Sequence, residues 1–83
     1  MSEAATTRQI LHALRALPGC WAAKTHGSAF SAAGTPDILG CYRGRGFALE
    51  VKAPRGRVTA IQARMLARWE AAGAAVAVVR SLD

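Results

Sequence analysis

Acidic residues are scarce in this 83-residue chain, five Asp and Glu against eleven Lys and Arg, for a net charge of +6 and a pI near 10.8. Cysteine is scarcer still. Cys20 and Cys41 form no CxxC pair and share no zinc-type spacing with His12 or His26. They are expected to be reduced and structural, small hydrophobes in strands. No apolar run approaches the ~20 residues of a membrane span. Ser2 and Glu3 do not make the basic n-region of an export signal, which leaves a cytoplasmic globular protein as the expectation. There is no internal repeat, linker or low-complexity segment, so residues 1–83 are expected to form a single domain. Alanine contributes 19 residues to an apolar share of 52%, leaving 24 larger apolar side chains and a thin core. Domains this small are often helped by pairing with a second copy.

What is present is charge spread through a periodic pattern. Ten of the eleven cations run from Arg8 to Arg68, with Arg80 the last, so this is no detachable basic tail. A folded cationic surface suits nucleic acid or another polyanion. Ile10, Leu11, Leu14 and Leu17 fall at helical spacing between Ser2 and Pro18-Gly19, predicting a helix over 3–17. Cys20 to Thr25 reads as a short strand, and Gly27 to Thr35 as a loop. Asp37 to Tyr42 and Phe47 to Ala53 read as a hairpin turning through Gly44-Arg45-Gly46, followed by a turn at Pro54 to Arg57. Thr59-Ala60-Ile61-Gln62 has the form of a capping box. Ile61, Met65, Leu66 and Trp69 supply the stripe of the helix behind it, and Gly73 a stop. Ala74 to Val79 is predicted to be a strand buried on both faces and parallel to a neighbour. The expected order is α-β-β-β-α-β, with a right-handed crossover into the last strand.

Two of the few acids stand where a polyanion binder would not want them. In Phe47-Ala48-Leu49-Glu50-Val51-Lys52, alternation puts Glu50 and Lys52 on one face, about 7 Å apart. Asp37 opens the preceding strand behind the stiffening Pro36. If the two strands pair, Asp37 and Glu50 approach across the ladder and repel unless a proton or cation joins them. Hard oxygen ligands suit Mg²⁺ or Mn²⁺. Such an ion neutralises a scissile phosphate and acidifies a bound water, and a nearby lysine stabilises the charge of the transition state. The chemistry that uses all of these is phosphodiester hydrolysis.

Pro36-Asp37 with Glu50-Val51-Lys52 resembles the PD-(D/E)xK nuclease signature. Gly34 to Gly40, Ala48 to Lys52, Thr59 to Gln62, the approach through Lys24-Thr25-His26-Gly27 and the Val79-Arg80 ending together resemble the VRR-NUC (virus-type replication-repair nuclease) family over almost the whole chain. That resemblance implies a restriction-endonuclease-like αβββαβ fold, with a small mixed sheet flanked by helices, in a stand-alone module of bacterial or phage origin. It places Asp37, Glu50 and the Val51 backbone carbonyl on Mg²⁺ or Mn²⁺, with Lys52 beside the attacking water. It adds Glu3 as a further acid at the metal and Gln62 as a site glutamine. It also implies a homodimer acting on branched DNA in the manner of a Holliday-junction resolvase in DNA repair.

Plainer readings stand beside these. Asp37 and Glu50 could be solvated strand acids, Glu3 a helix-dipole acid, and Gln62 a capping residue. His12 reads as a surface residue, while His26 could touch DNA or be structural. Phe30 reads as a loop anchor, and Trp21 and Trp69 as core or interface aromatics. Lys24 and the turn arginines Arg43, Arg45, Arg55 and Arg57 are expected to contact DNA phosphates. The alternative to an enzyme is a non-catalytic nucleic-acid-binding module of the same fold.

Overall fold

The computed structural model describes residues 2–25 and 32–82. The chain enters helix α1 (Glu3–Arg15) at Ser2, whose hydroxyl accepts the Ala5 N–H at 3.1 Å. Ile10 and Leu11 are buried on its inner face, but the helix closes before Leu17, which is 47% exposed. A left-handed Gly19 (φ 78°) then turns the chain into β1 (Cys20–Lys24). Strands β2 (Ile38–Tyr42) and β3 (Arg45–Val51), helix α2 (Ala60–Ala71) and strand β4 (Ala75–Val79) follow, in the expected order.

The sheet order is β1-β2-β3-β4, with the first two pairings antiparallel and β3·β4 parallel. This is a small α/β fold in which helices flank a four-stranded mixed sheet. Tyr42 pairs with Arg45, so the hairpin turns through Arg43 (φ 48°) and Gly44 (φ 90°) and not through Gly44-Arg45-Gly46. Two positive φ values match the turn to the strands' right-handed twist, which frees Arg45 and Gly46 to start β3. The core joins Ile10 and Leu11 to Ala22, Ile38 and Val51, with Leu14, Phe47, Leu49 and Val79 packed against it. Gly40 is required there, because a Cβ would come within 2.3 Å of Phe47 Cζ.

Thr59 and Gln62 close the expected capping box, but of the α2 stripe only Leu66 is buried, and Ile61 is 45% exposed. Strand β4 is not buried on both faces. Ala75, Ala77 and Val78 are exposed, because β4 is the edge of the sheet and α2 is short. Trp21 is no core residue either. It is 65% exposed on the other edge strand, with the Arg15 guanidinium 4.7 Å from its ring centre. Cys20 is half-buried and Cys41 exposed, both as free thiols, so Cys41 contributes nothing to the core. Among the described residues no helix is long and apolar enough to cross a membrane. His26, Phe30 and most of the predicted 27–35 loop lie outside the described residues.

Candidate metal centre

The hairpin register places the two acids together. Ile38 pairs with Leu49, so the next residues outward, Asp37 and Glu50, face one another at the end of the ladder. Asp37 is fixed from both sides. Its Oδ2 accepts the Val51 N–H at 2.8 Å, and its carbonyl accepts the Thr25 N–H at 3.0 Å. The Thr25 hydroxyl donates to the carbonyl of Pro36, a fully buried ring that stiffens the approach.

Glu50 is the chemically unusual group. Only 1% of it is exposed, and among the described residues its Oε1 has no hydrogen-bond partner. Burial raises its carboxyl from an ordinary value of 4.5 to about 8, helped by the hydrogen-bonding Asp37 carboxyl and by the charges of Asp37 and Glu3, while Lys52 pulls the other way. An unpartnered buried oxygen is costly unless a proton or a cation satisfies it. The donors at hand are oxygens, the set that suits Mg²⁺ or Mn²⁺. Asp37, Glu50 and the Val51 carbonyl therefore fit such an ion, and Glu50 Oε1 is the observation on which that fit rests.

A cleft of about 190 Å³ opens beside the pair, lined by Glu3, Ala4, Thr7, Lys24, Asp37 and Val51. Lys24 reaches it from β1. Lys52 is half-buried at the exit of β3, where its N–H donates to the Val79 carbonyl at 3.0 Å. Glu3 stands at the cleft, yet its Oε2 accepts the Ala53 N–H at 3.1 Å. Among the described residues no three His, Cys, Asp or Glu side chains gather as a metal-holding group. Any ion here would rest on two carboxylates and the backbone.

Gln62 does not line this cleft. Its Oε1 accepts the Thr59 N–H at 2.9 Å in the capping box. The arginines divide into two groups. Arg55 and Arg57 are exposed in the loop directly after Lys52. Arg43 lies in the hairpin turn and Arg45 directly after it, at the opposite end of β2 from Asp37, about 17 Å away along the strand. Arg43 there lies 5.5 Å from the Tyr42 ring centre.

Three positioning residues escape residue-type reasoning. Thr25 holds the Pro36-Asp37 backbone, and Thr7 bonds the Glu3 carbonyl at 2.8 Å, while Arg80 binds carbonyls of the loop after Lys52. A Thr inside a helix, such as Thr7, hints at bonding to a carbonyl four residues back, but nothing in sequence points Thr25 or Arg80 at these partners. Comparison of the chain with family models, curated proteins and solved structures returns no match.

Proposed function

We propose that this protein is a Mg²⁺- or Mn²⁺-dependent DNA endonuclease of the PD-(D/E)xK, VRR-NUC-like kind. The observation that carries this reading is the Asp37–Glu50 pair, with Glu50 buried and its Oε1 without a hydrogen-bond partner among the described residues. A protein that only binds nucleic acid gains nothing from two apposed carboxylates next to a cationic surface, which weighs against the non-catalytic alternative.

Asp37, Glu50 and the Val51 carbonyl would hold the ion. When bound, it supplies charge neutralisation at the scissile phosphate and a more acidic water. The chain's own residues do the rest. Asp37, pinned to the Val51 N–H, keeps one oxygen in fixed orientation at the cleft. Lys52, whose positive charge acts on Glu50, would orient the attacking water and stabilise the extra negative charge on the phosphate. Lys24 draws a phosphate into the cleft, and Arg55 and Arg57 hold its neighbours. By the same resemblance, water attacks in line, the 3′ oxygen leaves and the product carries a 5′-phosphate. One chain holds one such centre, so symmetric cutting of a four-way junction calls for a homodimer.

The test is a cleavage panel of duplex, flap, single-stranded and four-way-junction DNA with Mg²⁺, Mn²⁺ or EDTA. Nicking with either metal and none in EDTA is expected. Asp37→Asn and Glu50→Gln should abolish nicking while DNA binding persists. Binding without nicking on every substrate would favour the non-catalytic module.

A further inference from the structure

We propose that Arg80 is a positioning residue, which together with Glu3 clamps the loop after Lys52 and so sets the placement of Lys52, Arg55 and Arg57. This rests on the nuclease reading above for its catalytic consequence, though not for the clamp itself.

The loop leaves β3 at Lys52, and Pro54, Arg55 and Arg57 in it are exposed. It is held by polar contacts from two elements distant in sequence. Arg80, the first residue past β4, directs Nη1 at the Gly56 carbonyl (2.6 Å), the Ala53 carbonyl (2.9 Å) and, more distantly, the Pro54 carbonyl (3.4 Å). From the start of α1, Glu3 Oε2 accepts the Ala53 N–H at 3.1 Å. The Gly56 N–H returns to the Ala53 carbonyl at 2.9 Å and closes the turn. Ala53 is thus gripped at its N–H by an acid and at its carbonyl by an arginine. A Cβ at Gly56 would stand 3.3 Å from the Ala53 carbonyl oxygen and 3.6 Å from Glu3 Oε2, which leaves little slack.

Three converging carbonyl dipoles need a positive donor. A guanidinium is cationic and presents its donors in a rigid fork that suits such a convergence. The residue before Ala53 is Lys52, whose own N–H is tied to Val79, next to Arg80. The end of β4 therefore fixes both Lys52 and the turn that follows it. Arg80 Nη1 is spent on the protein, so Arg80 acts on the site through the loop. Glu3 in turn links the loop to the cleft that it lines.

The test compares Arg80→Ala and Arg80→Lys with wild type. Arg80→Lys keeps the net charge, so a loss that persists in it is not bulk electrostatics. Limited trypsin digestion reads the loop directly, at Arg55 and Arg57. Cleavage there should speed up several-fold in both variants, with the circular-dichroism spectrum unchanged. The kcat for nicking should fall about 10- to 100-fold, the usual cost of a small misplacement of catalytic groups, with KM moving far less. Unchanged trypsin cleavage overturns the clamp, and a loosened loop with wild-type kcat overturns the positioning role. If the wild-type protein does not nick at all, it is the nuclease reading that fails. The clamp is then judged on metal-free duplex affinity, which should drop several-fold in Arg80→Lys as Arg55 and Arg57 lose their fixed placement. Unchanged affinity there overturns it.

Discussion

At the scale of a single residue, Glu50 governs the behaviour of the metal-free protein. Its carboxyl stands at about 8 in the fold against an ordinary 4.5, raised first by burial and then by Asp37. Between those values the folded state holds a proton that the unfolded state has released. Raising the pH through this window therefore lowers stability, by up to about 1.4 kcal/mol per pH unit. Urea unfolding in EDTA from pH 5 to pH 8.5 should show that decline, and Glu50→Gln should flatten it. Added Mg²⁺ should stabilise most at the alkaline end, where no proton has to be displaced. A wild-type profile that rises with pH would contradict this placement of Glu50. Alternation along β3 puts Glu50 beside Lys52 in sequence, but it cannot tell that the carboxyl is shut away from water. That depends on how the rest of the fold packs around β3.

At the scale of elements, much of the fold is legible because its punctuation is local. The Thr59–Gln62 box and Gly73 delimit α2, and Ser2 opens α1. The same logic fails where two signals compete or where the answer lies in the neighbours. Gly44 and Gly46 both offer a turn, and the Tyr42–Arg45 pairing chooses Arg43-Gly44. Ala-Val-Ala-Val-Val reads as a buried strand because it carries no polar residue, yet its exposure follows from being last in the sheet order. Pairing β2 and β3 as a hairpin brings the Asp37 end of β2 near the Glu50 end of β3, but the register that sets Asp37 opposite Glu50 comes from the Arg43-Gly44 turn. Gly40 is the tightest point in that hairpin. Its missing side chain leaves room for the Phe47 ring, with the Trp21 carbonyl oxygen only 2.7 Å from where a Cβ would stand. Gly40→Ala should lower stability by about 1–3 kcal/mol, as overpacking does. Denaturant midpoints test this, and an unchanged midpoint would mean that the β1·β2·β3 packing is looser than described.

At the scale of the whole molecule, a thin core and a cationic surface set the expectations. Among the described residues only seven hydrophobic ones are buried, while Leu17, Trp21, Tyr42, Ile61, Val78 and Leu82 are exposed. Exposed large side chains on two open sheet edges are what association of two copies would cover. Light scattering should return a homodimer at micromolar concentration, and paired-nick mapping should show cuts on opposed strands of a four-way junction. A monomer that cuts linear ends equally well would end the resolvase reading and leave the nuclease one. With net +6, log affinity for duplex should fall steeply with log salt, by roughly 0.9 per neutralised phosphate. Arg55→Ala and Arg57→Ala should flatten that slope alike for all sequences. An affinity insensitive to salt would remove the phosphate-driven interface.

The claim on which the rest depends is that Asp37, Glu50 and Lys52 form one hydrolytic centre. The most direct measurement is the single-turnover nicking rate of wild type and Lys52→Ala on the same DNA, in Mg²⁺ and in EDTA, with DNA affinity measured alongside. Wild type should nick only with metal, and Lys52→Ala should bind DNA but cut at least about 100-fold more slowly, the scale of losing one group that stabilises transition-state charge. A Lys52→Ala protein that cuts at the wild-type rate, or a wild-type protein that cuts in EDTA, would contradict it.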